Sequence, residues 1–203
     1  MTKDDRPLVL GSTSRYRREL LGRLGLPFEV AAPGVDEAPL PGERPAQTAL
    51  RLAEAKARAV AGRYGHALVI GSDQVADCDG TPVGKPGGRE QALAQLRRLS
   101  GRTVVFHTGV ALVDARSGRC HSELVDVAST FRVLDEAEIA AYLDREAPWD
   151  CAGSVRSEGI GVALFERIGS DDPTALVGLP LIAVARLLRA EGVDVIARAA
   201  AAA

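Results

Sequence analysis

Short apolar runs alternate with segments of helical periodicity in the first third of this chain. Leu8–Leu10, Phe28–Ala31 and Ala67–Ile70 each predict a strand, because apolar runs of this length are bounded by turn residues. Between them, amphipathic helices are predicted from about Arg15 until Gly25 ends the pattern, and over roughly 46–63. This alternation of strand and helix is typical of α/β proteins.

The rest of the chain predicts a long hairpin followed by further helices. Residues 103–113 and about 120–133 flank a turn at Ser117-Gly118, which favours two antiparallel strands. Three further helices are predicted over 89–99, from Asp135 to about Asp144, and after Pro180. Asp135 and Glu138 are predicted to form a capping box at the start of the second of these helices. A strand is predicted over Val162–Ile168.

These elements predict an α/β (mixed α+β) fold in which helices flank a central mixed sheet. A loop over 32–45, which contains four prolines and two glycines, and the hairpin region suggest two lobes with a cleft, without a true linker between them. We therefore expect a single domain over 1–203, with a frayed tail over 197–203.

Composition and charge exclude several classes of protein. The 203 residues are 46% hydrophobic with a net charge of -2, which argues against a nucleic-acid coat or a polybasic membrane binder. Three widely spaced cysteines without a C-x-x-C pair disfavour a disulfide framework or a zinc site. With no signal-peptide pattern and no apolar run of roughly 20 residues, we expect a cytoplasmic protein that does not enter membranes.

The most informative chemistry is an aspartate followed by a turn and a lysine. Asp73 follows the apolar run 67–70, and open α/β sheets place ligand chemistry at the carboxyl ends of their strands. Asp79-Gly80 is a strong hairpin signal that can fold Lys85 back toward Asp73. A carboxylate for metal or water and a lysine for phosphate suit nucleotide hydrolysis, although the spacing fits a simple ion pair equally well.

A second candidate segment lies between the first strand and the first helix. Ser12, Ser14 and Arg17 belong to a turn whose hydroxyls, free backbone N–H groups and arginines can bind phosphate at a helix N-terminus. The alternative is an ordinary capped helix with solvated arginines. Arginines in a first turn oppose the helix dipole, and a bound anion would compensate for them.

Three more positions carry weaker signals. Glu37, beside Asp36 in the proline-rich loop, can hold a divalent cation, and Lys56 on the long helix can reach phosphate. In the small-residue segment 151–161, Ser154, Ser157 and Glu158 can hydrogen-bond the edge of a base. The alternatives are a solvated loop acid, a solvent-facing lysine and a glycine-rich turn that leads into a strand.

Taken together, these segments occur in the order and spacing of one family. From about Leu8 to Gly192 the chain resembles the Maf family of nucleoside triphosphate pyrophosphatases. The matching motifs, specific only in combination, are Ser12–Leu21 (STSRYRRELL), Val35–Glu37 (VDE), Gly71–Gln74 (GSDQ), Gly84–Pro86 (GKP), Leu99–Arg102 (LSGR) and Val177–Leu181 (VGLPL).

The resemblance implies a fold, a reaction and a set of site residues. Family members have a two-lobed α/β fold and hydrolyse a nucleoside triphosphate to the monophosphate and diphosphate with a divalent cation, Mg²⁺ or Mn²⁺. Their proton acceptor falls on Asp73, and their phosphate-binding positions fall on Ser12, Arg17, Lys56 and Lys85. An acidic metal or water partner falls on Glu37, and Asp73 is the second candidate metal ligand. A homodimer is a further expectation from the resemblance.

Three positions indicate a branch within the family. Tyr16, Gln74 and Glu158, together with 151–159 and 172–180, look like the branch that acts on 7-methyl-GTP. A tyrosine face attracts the positively charged 7-methylguanine ring, and a glutamate can accept hydrogen bonds from the guanine edge. A dTTP/UTP-type or broad nucleotide pyrophosphatase is the alternative enzyme, and a nucleotide-binding regulator of septum formation and cell division is the alternative without catalysis.

Overall fold

The strands of the computed structural model, which describes residues 5–201, form one mixed sheet. The strands are β1 (Leu8–Gly11), β2 (Phe28–Val30), β3 (Leu68–Cys78), β4 (Thr81–Val83), β5 (Thr103–Asp114), β6 (Cys120–Phe131) and β7 (Phe165–Gly169). The strand order is β2-β1-β3-β5-β6-β7, with β4 paired to β3.

The described residues also form six α-helices, which flank this sheet. They are α1 (Arg15–Gly22), α2 (Pro45–Ala61), α3 (Arg89–Leu99), α4 (Glu136–Glu146), α5 (Leu181–Ala190) and α6 (Val195–Ala200). Short 3₁₀ turns lie at Ala152–Ser154, Ile160–Leu164 and Ala175–Val177. The predicted α/β fold with a central mixed sheet is therefore confirmed.

The chain divides into two compact units. The first comprises the chain up to Gln74, Thr108–Val125 and the chain from Asp172 onward, and the second comprises Val75–His107 and Asp126–Asp171. Strands β3, β5 and β6 each run from one unit into the other along the chain.

In the first unit, alternate residues of the parallel strands β1 and β3 face two different helical layers. Leu8 and Ile70 belong to one apolar cluster, which also contains buried leucines of α1 and α5. Val9 and Val69 belong to a second cluster, which contains the alanines of α2. Burial on both faces explains why these strands are continuously apolar in sequence rather than alternating.

Helix α2 lies directly on the sheet because three neighbouring strands present glycine to it. A Cβ atom at Gly71 would lie 2.3 Å from the Ala53 carbonyl oxygen, and one at Gly109 would lie 2.4 Å from the Ala49 carbonyl oxygen. A Cβ atom at Gly11 would meet Val60 at 3.2 Å. Small residues on both surfaces therefore set the distance between the sheet and the helix that carries Lys56.

The second unit contains the hairpin of β3 and β4 and the helices α3 and α4. Asp79 and Gly80 both have positive φ, 53° and 79°, as the predicted two-residue hairpin turn requires. Asp135 Oδ1 accepts a hydrogen bond from Glu138 N at the start of α4. The Glu138 carboxylate binds Arg132 instead of the cap backbone, so only half of the predicted capping box forms.

Several predicted boundaries were wrong. The first helix ends at Gly22 and a turn continues to Gly25, while the strand predicted over Val162–Ile168 begins only at Phe165, after a 3₁₀ turn. The helix after Pro180 is followed by α6, whose first turn Asp194 caps.

The tail predicted to be frayed from residue 197 is helical through Ala200, and Ala199 packs against the first unit's core. Its last two residues, 202 and 203, lie outside the described residues. Within residues 5–201, no helix combines the length and apolar character needed to cross a membrane.

Candidate active site

The turn between β1 and α1 is built by two serine hydroxyls. Ser12, which is buried, accepts a hydrogen bond at Oγ from Ser14 N (3.2 Å). Ser14 is the predicted N-cap of α1, and its Oγ accepts a bond from Arg17 N. The caps order the helix start, whose backbone N–H groups and positive dipole end favour an anion.

Arg17 is held in this turn by two acceptors. Its Nε donates to the Gly178 carbonyl oxygen (2.8 Å) and its Nη1 to Ser12 Oγ (3.5 Å). Burial lowers the pKa of Arg17 below its usual value, while Asp73 and Glu37 act in the opposite direction. A partly desolvated guanidinium is suited to bind a multiply charged anion.

Lys56 lies between the two candidate carboxylates. Its Nζ is 2.6 Å from Asp73 Oδ1 and 2.6 Å from Glu37 Oε1. Lys56 and Asp73 are buried, whereas the Glu37 side chain is 59% exposed. Lys56, for which a solvent-facing position was the alternative, is thus the centre of an acid–lysine–acid cluster. The cluster forms because α2 approaches the sheet so closely.

The sequence predicted Asp73 at the carboxyl end of its strand, and this prediction was wrong. Strand β3 continues to Cys78 because its last residues pair with β4. The neighbouring strand β1 does end here, since its last pair is Gly11 with Gly71. Asp73 therefore lies two residues beyond the carboxyl end of a parallel neighbour, which leaves its side chain beside the turn that follows β1.

The residues on either side of Asp73 fix a distant segment. Ser72 Oγ is within hydrogen-bond distance of the Gly109 and Gly178 carbonyl oxygens. Gln74 Nε2 donates to the Ala175 and Leu176 carbonyl oxygens and to Thr108 Oγ1. Gln74, which the sequence predicted to determine substrate specificity, therefore uses its amide nitrogen to bind the 175–178 segment. The roles of Ser72 and Thr108 were not predicted from the sequence, because their hydrogen-bond partners are distant along the chain.

The loop that carries Glu37 is tied to α2 through Glu43. The Glu43 carboxylate binds Arg51 Nε at 2.5 Å and Arg51 Nη2 at 2.8 Å, and it accepts bonds from Thr48 Oγ1 and Leu40 N. Arg51 also donates to the Ala38 carbonyl oxygen. The hydrogen bond from Arg51 is the main reason that the pKa of Glu43 is lowered to about 2.

This depressed pKa predicts an acid-sensitive contribution to stability. The pKa of Glu43 is about 2 in the folded chain instead of 4.5. Its contribution to the free energy of unfolding is therefore complete above pH 4.5 and is lost as the pH falls to about 2. We expect the melting temperature of wild type to exceed that of Glu43→Gln by a constant amount near neutral pH.

Below about pH 4.5 that difference should shrink progressively, nearly vanishing around pH 2. Thermal melts of both proteins at several pH values measure it. Asp36→Asn, an exposed change in the same loop, is the control and should track wild type throughout. A difference independent of pH down to pH 2 would contradict the assignment.

Two predicted site residues, Lys85 and Glu158, fall in the second unit. Both are exposed, and each lies in a loop. The Gly84 carbonyl oxygen accepts bonds from Gly153 N and Gln95 Nε2, which joins the segment before Lys85 to the segment before Glu158. Within this unit, the phosphate-binding and base-recognising candidates thus occupy connected loops.

Tyr16 lies in the first turn of α1 and already has a cationic neighbour. The guanidinium carbon of Arg15 is 4.6 Å from the centroid of the Tyr16 ring, and Arg15 Nη2 donates to Tyr16 Oη at 2.6 Å. The Tyr16 ring face, which was predicted to contact a charged base, therefore makes a cation–π contact with Arg15 of the same chain.

The donor set fits a divalent cation held jointly with a substrate. Among residues 5–201, no group of three or more histidine, cysteine, aspartate or glutamate side chains is arranged to hold a metal alone. Mg²⁺ usually takes one or two carboxylates, with the remaining ligands coming from phosphates and water. Glu37 and Asp73 offer two such carboxylates, both already directed at one positive charge, Lys56 Nζ.

Fold and site together define the class of this protein. A family model described as "Maf-like protein" matches residues 7–191, and the chain belongs to that family. A protein of Polaromonas sp. named 7-methyl-GTP pyrophosphatase is 61% identical over 97% of this chain and 90% of its own length.

Proteins with the same name give similar matches. The one from Cupriavidus metallidurans is 56% identical over 95% of this chain and 97% of its own length. The one from Ralstonia nicotianae is 59% identical over 90% of this chain and 94% of its own length.

Proposed function

We propose that this chain is a nucleoside triphosphate pyrophosphatase that hydrolyses 7-methyl-GTP to 7-methyl-GMP and diphosphate. The observation that carries the proposal is the Lys56 ammonium, 2.6 Å from both Asp73 and Glu37, in the unit that also holds the capped start of α1. The names of the relatives, which match nearly the whole chain, support the substrate.

In this mechanism the triphosphate lies against the start of α1. Ser12 Oγ, the guanidinium of Arg17 and the N–H groups of the first turn bind phosphate oxygens, and Lys56 adds positive charge. Fixed donors of this kind stabilise the charge that develops during phosphoryl transfer without reorganising in the reaction.

Asp73 orients and deprotonates the attacking water. Lys56 holds Oδ1, and the second carboxylate oxygen, Oδ2, is then the proton acceptor. The water oxygen bonds to the α-phosphorus while the bond from that phosphorus to the bridging oxygen breaks, and diphosphate leaves with the bond's electron pair. A positioned general base typically contributes 10²–10⁴-fold to such a step.

Glu37 and Asp73 would hold the divalent cation, Mg²⁺ or Mn²⁺, together with the substrate. When bound, the ion would neutralise phosphate oxygens and favour departure of diphosphate. Lys56 already supplies one positive charge to both carboxylates. The chain therefore keeps these two acids close together through its own lysine.

Glu158 selects the base in this proposal. The Glu158 carboxylate accepts hydrogen bonds from N1–H and N2–H₂ of guanine, which pyrimidine bases do not offer in that arrangement.

Diphosphate release from five nucleotides tests the proposal. With Mg²⁺ present, we expect kcat/KM for 7-methyl-GTP to exceed the values for dTTP, UTP and CTP by about tenfold or more, which corresponds to one well-placed polar recognition group. The excess over GTP should be smaller, because GTP presents the same N1–H and N2–H₂ edge. Preference for dTTP or UTP would retain the reaction and reject the base-recognition argument. Tight binding without release from any nucleotide would indicate a nucleotide-binding regulator.

A further inference from the structure

We infer that Tyr142 and Glu146 are positioning residues for base recognition, because they hold the loop that carries Glu158. This inference rests on the proposed function and deepens it, since it names groups that set specificity without touching the substrate. Both lie on α4, four residues apart and therefore on the same face of the helix.

The two side chains hold the loop on both sides of Glu158. Tyr142 Oη accepts a hydrogen bond from Arg156 N at 3.0 Å, and Glu146 Oε1 accepts one from Ile160 N at 3.1 Å. Glu146 Oε2 also lies 2.8 Å from Arg156 Nη2. The five-residue segment 156–160 is therefore fixed at each end to one helix, with Glu158 at its middle.

The loop packs against these two side chains without spare room. A Cβ atom at Gly159 would lie 2.8 Å from both carboxylate oxygens of Glu146. One at Gly161 would lie 2.4 Å from the Arg156 carbonyl oxygen and 3.0 Å from Tyr142 Oη. Glycine is needed at Gly161 because the closest atom belongs to the backbone, whereas a Cβ atom at Gly159 would require the Glu146 carboxylate to shift.

The helix that provides these contacts is itself well anchored. Asp135 caps its first turn, and Ile139 and Leu143 are buried on its inner face. The Tyr142 ring is also buried, and that burial raises the pKa of Tyr142, so its hydroxyl stays protonated at neutral pH. The Glu146 side chain is only 9% exposed. Two side chains with little exposure thus define where the loop lies.

Recognition of a base edge depends on such support. An exposed carboxylate on a free loop samples many positions, and a displacement of about 1 Å of a recognition group can cost on the order of 100-fold in rate. The Glu158 side chain is exposed, with Ser157 Oγ 3.5 Å from Oε2. Its position is therefore determined by the backbone of the loop, and so by Tyr142 and Glu146.

The test compares Glu146→Gln and Tyr142→Phe with a matched control, Glu136→Gln, on the same helix. Glu136 is exposed and pairs with Arg97, away from the loop. We expect the ratio of kcat/KM for 7-methyl-GTP to that for UTP to fall about tenfold in the first two variants. The control should keep the wild-type ratio, and kcat for UTP should stay within about twofold in all three.

A second background separates positioning from general damage. In Glu158→Ala, adding Glu146→Gln should produce no further change in the ratio, because the group being positioned is gone. An unchanged ratio in both single variants, or an equal additional fall in the Glu158→Ala background, would overturn the inference.

Failure of the proposed function is distinguishable from failure of this inference. If wild type does not prefer 7-methyl-GTP, the proposed function fails, and the same ratios are then taken between GTP and UTP. Amide hydrogen exchange of the 156–161 segment gives a readout that needs no substrate. It should accelerate at least tenfold in Glu146→Gln and stay unchanged in Glu136→Gln, and equal protection in both would overturn the inference.

Discussion

Replacing Asp73 with asparagine is expected to lower kcat for nucleotide hydrolysis by about a thousandfold, within the range typical of losing a positioned base. Asparagine keeps the shape of the side chain but cannot take a proton from water. Lys56 retains Glu37 as an anionic partner at 2.6 Å, so the variant should still fold. Steady-state kinetics should show KM changed by only a few-fold, since phosphate binding relies on other groups.

The matched control for this experiment is Asp77→Asn. Asp77 lies on the same strand, four residues after Asp73, and its carboxylate is near His107 in the second unit. We expect near-wild-type turnover from this variant. Turnover within tenfold of wild type in purified Asp73→Asn, with the melting temperature unchanged, would remove Asp73 from the role of proton acceptor.

The largest effect on stability is expected from Gly71→Ala. The added methyl group would lie 2.3 Å from the Ala53 carbonyl oxygen and 2.5 Å from Ala57 N, both backbone atoms of α2. The helix must move away from the sheet, and overpacking of this kind costs about 1–3 kcal/mol or more. Thermal unfolding should show a melting temperature lower by roughly 3–10 °C for a chain of this size.

Gly65→Ala is the control, because nothing lies within 4 Å of a Cβ atom there and its φ is not positive. Its melting temperature should stay within about 2 °C of wild type. The Gly71 variant should also lose activity in the fraction that stays folded, since Lys56 moves with α2. A melting temperature equal to that of Gly65→Ala would show that α2 is not held against the sheet as described.

Local signals in the sequence predicted most of the elements. The Ser14 cap, the Asp79-Gly80 turn and the long hairpin each depend on residues close together in the chain, and all three are confirmed. The continuation of β3 past Asp73 was missed because its cause is pairing with a later strand, which propensity alone does not show. Helix α6 was missed because an alanine-rich end gives no amphipathic pattern.

The candidate site was only partly predictable for the same reason. The serines, lysines and acids could be proposed from residue type and motif order. The contact of Lys56 with both Asp73 and Glu37 depends on glycines in three strands. The role of these glycines is evident only once the position of α2 on the sheet is known. Tyr142 and Glu146 have helical spacing, but nothing local in the sequence indicates that they hold a loop.

The shared acceptor at Gly178 limits how this site can be transplanted or recombined. Arg17 and Ser72 both direct a donor at that one carbonyl oxygen, and Gly178 has a φ of 115° that other residues rarely adopt. Three stretches far apart in the chain therefore form one inseparable module. A chimera that exchanges the first helix between homologues will need a compatible 175–178 segment from the same parent.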